Sequence, residues 1–166
     1  MSLTKRLTTV LVALLFTGIA QAQELEFYDF EASKIYAGGG FSYNNLRWSG
    51  YDSAAGVQAF AGWDFFRFRD LTVSAEVGAS YAGDFEHDLG WKENFSGPYI
   101  NLLAKFPLND KVWVQGRVGP NLISGLSSEM FGAGFGFQLT RAIALRTEVV
   151  RYGNIDSLRL EAVVSF

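Results

Sequence analysis

The sequence predicts an all-β fold: an eight-stranded antiparallel up-and-down barrel. Three observations carry that prediction. Residues 71–81, "LTVSAEVGASY", put Leu, Val, Ala, Val, Ala and Tyr at alternate positions with Thr, Ser, Glu, Gly and Ser between them, and a two-residue period belongs to a strand with one oily and one polar face. Eight such segments occur, an even number that leaves both ends of an up-and-down barrel on one side. Their connections alternate between tight and long, which a soluble meander has no reason to maintain.

The chain begins "MSLTKRLTTVLVALLFTGIAQAQ". Lys5 and Arg6 precede an apolar run over 7–20, and "AQA" ends at Ala22, the three-part layout of a secretory signal peptide spanning 1–22. The apolar run is shorter than the roughly 20 residues that cross a bilayer as a helix. Its removal takes two basic residues and no acidic one from a chain with formal net charge −3. The remainder, large enough for one domain, is then more acidic and poorly suited to gripping nucleic acid. The chain has no cysteine, so disulfides and thiolate chemistry are excluded. Residues 23–33, "QELEFYDFEAS", read as an N-terminal lead-in before a barrel domain over 34–166.

Within that domain the expected strands are 34–43, 56–66, 71–82, 98–107, 111–122, 131–140, 142–152 and 157–166. Each is rich in β-branched, aromatic or alternating residues and bounded by turn chemistry. The connections "RFRD" at 67–70, "LND" at 108–110 and the junction at Arg141 are tight. Those at 44–55, 83–97 and 123–130 are longer, and "GNID" at 153–156 is the shortest on their side. Short turns at one rim and long loops at the other are the pattern of a transmembrane barrel with periplasmic turns and extracellular loops.

One face carries Val57, Ala59, Ala61, Trp63 and Phe65, then Leu71 to Tyr81 at odd positions, then Phe131, Ala133, Phe135, Phe137 and Leu139, then Leu158 to Phe166 at even positions, with no charge. The other holds Gln58, Asp64, Glu76, Lys105, Gln115, Arg117, Gln138, Arg146, Glu148, Arg159 and Glu161. A soluble barrel that carries an apolar ligand, as lipocalins do, would point the first set inward. Eight strands enclose little more than side chains, so so many rings fit better outside, against lipid. Trp63, Phe65, Tyr81, Phe106, Phe131 and Phe166 then form lipid-facing aromatic belts. Glu76, Lys105, Arg117, Arg146, Glu148, Arg159 and Glu161 form an interior polar network. Both signs are present, and buried charges persist only when paired. That network reads as a plug that holds the barrel's shape in preference to an ion path.

The ending "LRLEAVVSF", alternating and finishing on Phe166, resembles the signature by which the assembly machinery of Gram-negative outer membranes recognises barrels. "YAGGGFSYN", "VQAFAGWDFF" and "FPLNDKVWVQGRVG" resemble strands and turns of the small barrels of the OmpA/OmpX-like superfamily, over roughly residues 34–166. The resemblance implies an integral outer-membrane barrel with a periplasmic N-terminus, in contact with membrane lipid and lipopolysaccharide and inserted by the barrel-assembly machinery through the strand ending at Phe166. OmpA-type proteins carry a peptidoglycan-binding domain after the barrel; none is expected here.

The residues point away from catalysis. His87, the one histidine, lies in "DFEHDLGW" without the His-x-Ser arrangement of outer-membrane lipid A deacylases, and a general base needs a positioned partner. Asp84, Glu86, His87 and Asp88 read as a solvated loop more readily than a metal site. "GGG" at 38–40 and "GAGFG" at 132–136 lack dinucleotide-binding spacing, and "NFS" at 94–96 is an incidental sequon. No catalytic residue, metal or cofactor is expected. The loop residues Trp48, Tyr51, Phe85, Trp91 and Phe95 remain, interleaved with charges, as candidates for binding a surface, a host ligand or lipopolysaccharide. The expected role is non-enzymatic, in envelope integrity or surface interaction; the alternatives are an adhesin, a narrow pore or a lipid A-modifying barrel enzyme.

Overall fold

The computed structural model describes residues 34–122 and 128–166. The signal peptide and lead-in expected over 1–33 lie outside the described residues. Eight strands follow one another: β1 (Lys34–Leu46), β2 (Ala54–Phe68), β3 (Leu71–Glu86), β4 (Lys92–Pro107), β5 (Val112–Asn121), β6 (Ser128–Gln138), β7 (Ile143–Tyr152) and β8 (Ile155–Ser165). Each pairs antiparallel with its sequence neighbour, and β1 pairs with β8 from Tyr36↔Ser165 to Leu46↔Ile155, so the barrel is closed. Closure leaves no unpaired edge, which is the condition for a sheet to sit in hydrocarbon.

The two-residue period appears directly as burial. In β2, Ala54, Gln58 and Phe60 are buried while Ala55, Val57, Ala59 and Ala61 between them are exposed. In β8, Ser157, Arg159, Glu161 and Val163 are buried between exposed Leu158, Leu160, Ala162 and Val164. The charged set therefore lines the inside and the oily set the outside. Exposed apolar side chains surround the molecule, among them Val77, Ile100, Phe135, Val149 and Leu160. Water-soluble monomers rarely keep so much exposed apolar surface.

Strands at the loop end run further than the sequence predicts. β3 continues to Glu86 and β4 begins at Lys92, so most of the expected 83–97 loop is a hairpin extension. A register shift between Tyr81 and Asp84, with Gly83 at φ 96°, absorbs the irregularity. A glycine takes this left-handed conformation without steric cost. Beyond it alternation resumes with Phe85 turned inward, where it meets Phe95, which lies on β4 in phase with Tyr99, Asn101 and Leu103; both rings are buried. Apolar burial at these two positions is what extends the strands.

The connections at the turn end are short. Arg69 and Asp70 join β2 to β3, residues 108–111 join β4 to β5, and residues 139–142 join β6 to β7. Asn109 Oδ1 accepts the backbone N–H groups of Lys111 and Val112, and Thr140 Oγ1 those of Ala142 and Ile143, so each turn satisfies its own donors. The chain's last residue is tied in as well, since Phe166 N–H donates to Ile35 O at 2.9 Å.

Candidate functional site

The lumen is built from facing positions of several strands. Glu76 on β3 stands opposite Gly62, Glu148 on β7 opposite Gly134, and Arg146 opposite Gly136, so a long charged side chain repeatedly lies beside a residue without one. Arg117 and Arg146 form the centre. Arg117 Nη1 lies 3.1 Å from Glu76 Oε1, and its Nη2 lies 2.6 Å from Glu148 Oε2 and 3.8 Å from Glu161 Oε2. Arg146 Nη2 lies 2.9 Å from Glu76 Oε2, while its Nε pairs with Glu161. Gln58 Nε2 donates to Glu161 at 3.1 Å and Gln115 donates to Glu148. Every carboxylate of the cluster thus has a cationic and a neutral or second cationic partner, the condition under which charges withstand burial.

The third guanidinium behaves differently. Arg159 is buried, with Nε and Nη1 lacking a hydrogen-bond partner, and its Cζ lies 5.5 Å from the Tyr152 ring centroid and 5.8 Å from that of Tyr99. Ring faces supply a desolvated guanidinium with electrostatic compensation of about 2 kcal/mol. With Glu76, Glu148 and Glu161 it completes a cluster whose formal charges cancel. Lys105 sits apart from this group. Its Nζ pairs with Asp64 at 2.6 Å, Ser74 Oγ donates to the same carboxylate oxygen, and the ammonium lies 4.8 Å from the Tyr36 ring centroid.

Toward the turn end the lumen opens as a cavity of about 250 Å³ lined by Asp64, Arg67, Asp70, Lys105 and Trp113, and by the buried Tyr36, Gln115 and Arg146. Toward the loop end, beyond the ion network, buried Phe85, Phe95, Tyr99, Met130, Tyr152 and Ile155 fill the barrel. Buried Asn44, Asn101 and Asn121 lie among them, so apolar and polar side chains together occupy the described lumen there.

At the loop end, rings touch in sequence. Phe85 packs on Phe95, Phe95 on Trp48, Trp48 on Tyr51, Tyr51 on His87 and His87 on Trp91, with centroid separations between 4.7 and 6.1 Å. Backbone hydrogen bonds tie the two loops together: Asp52 N–H donates to Glu86 O and Asp88 N–H to Gly50 O. Partial desolvation, then the neighbouring Glu93 carboxylate, raises the Tyr51 phenol above its ordinary value.

Residues 8–162 match the model of the outer membrane protein beta-barrel domain, nearly the whole chain. The protein belongs to that family. Its barrel superposes on Ail, the attachment invasion locus protein of Yersinia pestis, solved in complex with the heparin analogue sucrose octasulfate, with TM-score 0.57 at 15% identity over 81% of this chain and 99% of that one. Neisserial surface protein A gives TM-score 0.54 at 16% identity, over 80% and 95% of the two chains. De novo designed transmembrane β-barrels give TM-score 0.54 at 11% identity, over the same shares. At these identities the likeness is one of fold. No curated protein matches the chain.

In this outer-membrane barrel the structure joins Glu76, Arg117, Arg146, Glu148 and Glu161 by direct ion pairs, sets Arg159 beside them among rings, and holds Lys105 apart with Asp64. Trp63, Tyr81, Phe106, Phe131 and Phe166 are exposed on the outer surface. Phe65, at the register shift between Asp64 and Phe66, is half-buried, its ring 5.7 Å from that of exposed Trp63. Of the loop aromatics, Trp48 and Trp91 are exposed and Tyr51 partly so, whereas Phe85 and Phe95 are buried. The last two support the outer residues from below and offer no surface. His87 Nδ1 accepts the Leu89 N–H at 3.1 Å, and among the described residues no three His, Cys, Asp or Glu side chains gather as metal ligands.

Sequence reasoning missed the interior rings Tyr36, Phe60, Tyr99 and Tyr152 by assigning aromatics to the lipid face. A signal was present in the glycines. A Cβ at Gly38 would collide with Phe60, at Gly62 with Tyr36 and at Gly78 with Tyr99. Inward-facing glycines mark where rings lie across the sheet.

Proposed function

We propose that this outer-membrane barrel is non-enzymatic, that its loop end faces the outside of the cell, and that it acts by surface contact through the loop pairing around Trp48, Tyr51 and Trp91. The observation that carries the reading is the exposure of Trp48 and Trp91, with Tyr51 half-buried between them, on loops cross-linked by backbone hydrogen bonds, since rigid scaffolds present binding residues in this way. Ail, named for attachment, shares the fold and offers a precedent for such use. Outer-leaflet lipopolysaccharide is the natural surround of the exposed belts, and the strand ending at Phe166 is the segment offered to the barrel-assembly machinery.

Dense side-chain packing above the ion network speaks against a pore. The enclosure of His87 between Tyr51 and Trp91, with Nδ1 already engaged, gives no support to general-base chemistry. Cells expressing the Trp48→Ala, Trp91→Ala double variant, with the barrel confirmed as folded by heat-modifiable migration in gels, are expected to lose surface attachment measured against wild type. Attachment at the wild-type level would defeat the reading.

A further inference from the structure

Resting on the surface-contact reading, we propose that the loop end takes a basic polypeptide segment carrying apolar side chains. Charge complementarity decides the class. Two of the cations at this end are already neutralised: Lys92 pairs with Glu86, and Arg151 Nε lies 2.5 Å from Asp156 Oδ1. Exposed Asp52, Asp84, Asp88, Glu93 and Glu129 remain, with Arg47 as the further exposed cation among the described residues. A sulfated or phosphorylated polyanion would meet a field of its own sign, whereas Lys and Arg side chains are steered toward it.

The aromatic groups fit the same ligand. Trp91 is 56% exposed, Leu89 73% and Trp48 39%, so ring faces and an aliphatic side chain stand beside the carboxylates. Cations bind ring faces and aliphatic stems pack on them. The ring-to-ring contacts and the hydrogen bonds between the loops set the surface before the ligand arrives, which lowers the ordering cost of binding.

The test uses the full chain in phospholipid nanodiscs and a fluorescent peptide of alternating Lys and Leu, with heparin and a neutral oligosaccharide as comparison probes. Binding of the peptide and not of heparin is expected, weakening about tenfold between 0.1 M and 1 M salt. The Asp52→Asn, Asp88→Asn, Glu93→Gln variant should bind about tenfold more weakly at low salt and lose most of the salt dependence. The Trp48→Ala, Trp91→Ala variant should bind about tenfold more weakly at both salt concentrations. Each variant is first checked for heat-modifiable migration as a folded barrel. Tighter binding of heparin, peptide binding unchanged in both variants, or oligosaccharide binding that needs the tryptophans and ignores the carboxylates overturns the inference. Loss of cell attachment in the tryptophan variant without any peptide binding also overturns it, and leaves the surface-contact reading standing.

Discussion

Arg117 and Arg159 are both guanidiniums buried in the same lumen, yet their surroundings assign them different weights. Arg117 touches Glu76 and Glu148 directly; replacing it by Met strands two carboxylates, a loss of about 3–5 kcal/mol. Arg159 rests between the Tyr99 and Tyr152 rings, so Arg159→Met is expected to cost less. Urea titrations of the two variants in detergent, followed by tryptophan fluorescence, check the order, and equal losses would contradict it. Gly62 offers a second contrast. A methyl there collides with the Tyr36 ring, so Gly62→Ala should destabilise by ~1–3 kcal/mol, with part of that recovered in the Tyr36→Ala background.

At the scale of the element, the strand is the unit whose sidedness matters. Adjacent residues of β3, Glu76 and Val77, differ completely: one is 1% exposed inside the barrel, the other 55% exposed outside it. The chain has no cysteine, so single cysteines at these positions can carry spin labels without competing thiols. Oxygen in the bilayer should reach the label at residue 77 and not the one at 76. An arginine at the lipid face is costly near the bilayer midplane, and Val77→Arg should lower stability by about 2–4 kcal/mol. The turns belong to this scale too. β7 and β8 are joined by Gly153 and Asn154, with Gly153 at φ 55°, and Gly153→Ala is expected to cost ~1–2 kcal/mol in the same titrations because a Cβ disfavours that conformation.

For the whole molecule, closure and neutrality combine. The interior charges cancel within the barrel, the cavity at the turn end meets the ion network, and packed side chains, rings with buried Asn44, Asn101 and Asn121 among them, occupy the space beyond. Purified protein in planar bilayers is therefore expected to show no stable large conductance. Steady open-channel currents would show that the packing at Tyr99, Met130 and Tyr152 yields.

Much of this architecture is legible in the chain. Alternation in segments such as Leu71 to Tyr81 is a local property, because successive side chains leave a strand on opposite sides. The number of strands, the order of tight and long connections and the composition of the two faces follow from it. Phe85 escaped, since a one-residue irregularity on β3 reverses every side chain after it and no local pattern announces a bulge; Phe95 escaped because β4 begins earlier than the sequence predicts.

The sequence by itself determined an eight-stranded closed barrel with an oily outside and a charged inside. Only the tertiary structure decided that Arg117 and Arg146 share Glu76, that Arg159 lies among rings, and that Trp48, Tyr51 and Trp91 meet at one end. Side-chain direction is set by neighbouring residues, whereas partners across a barrel are set by its stagger and closure, which no single strand contains.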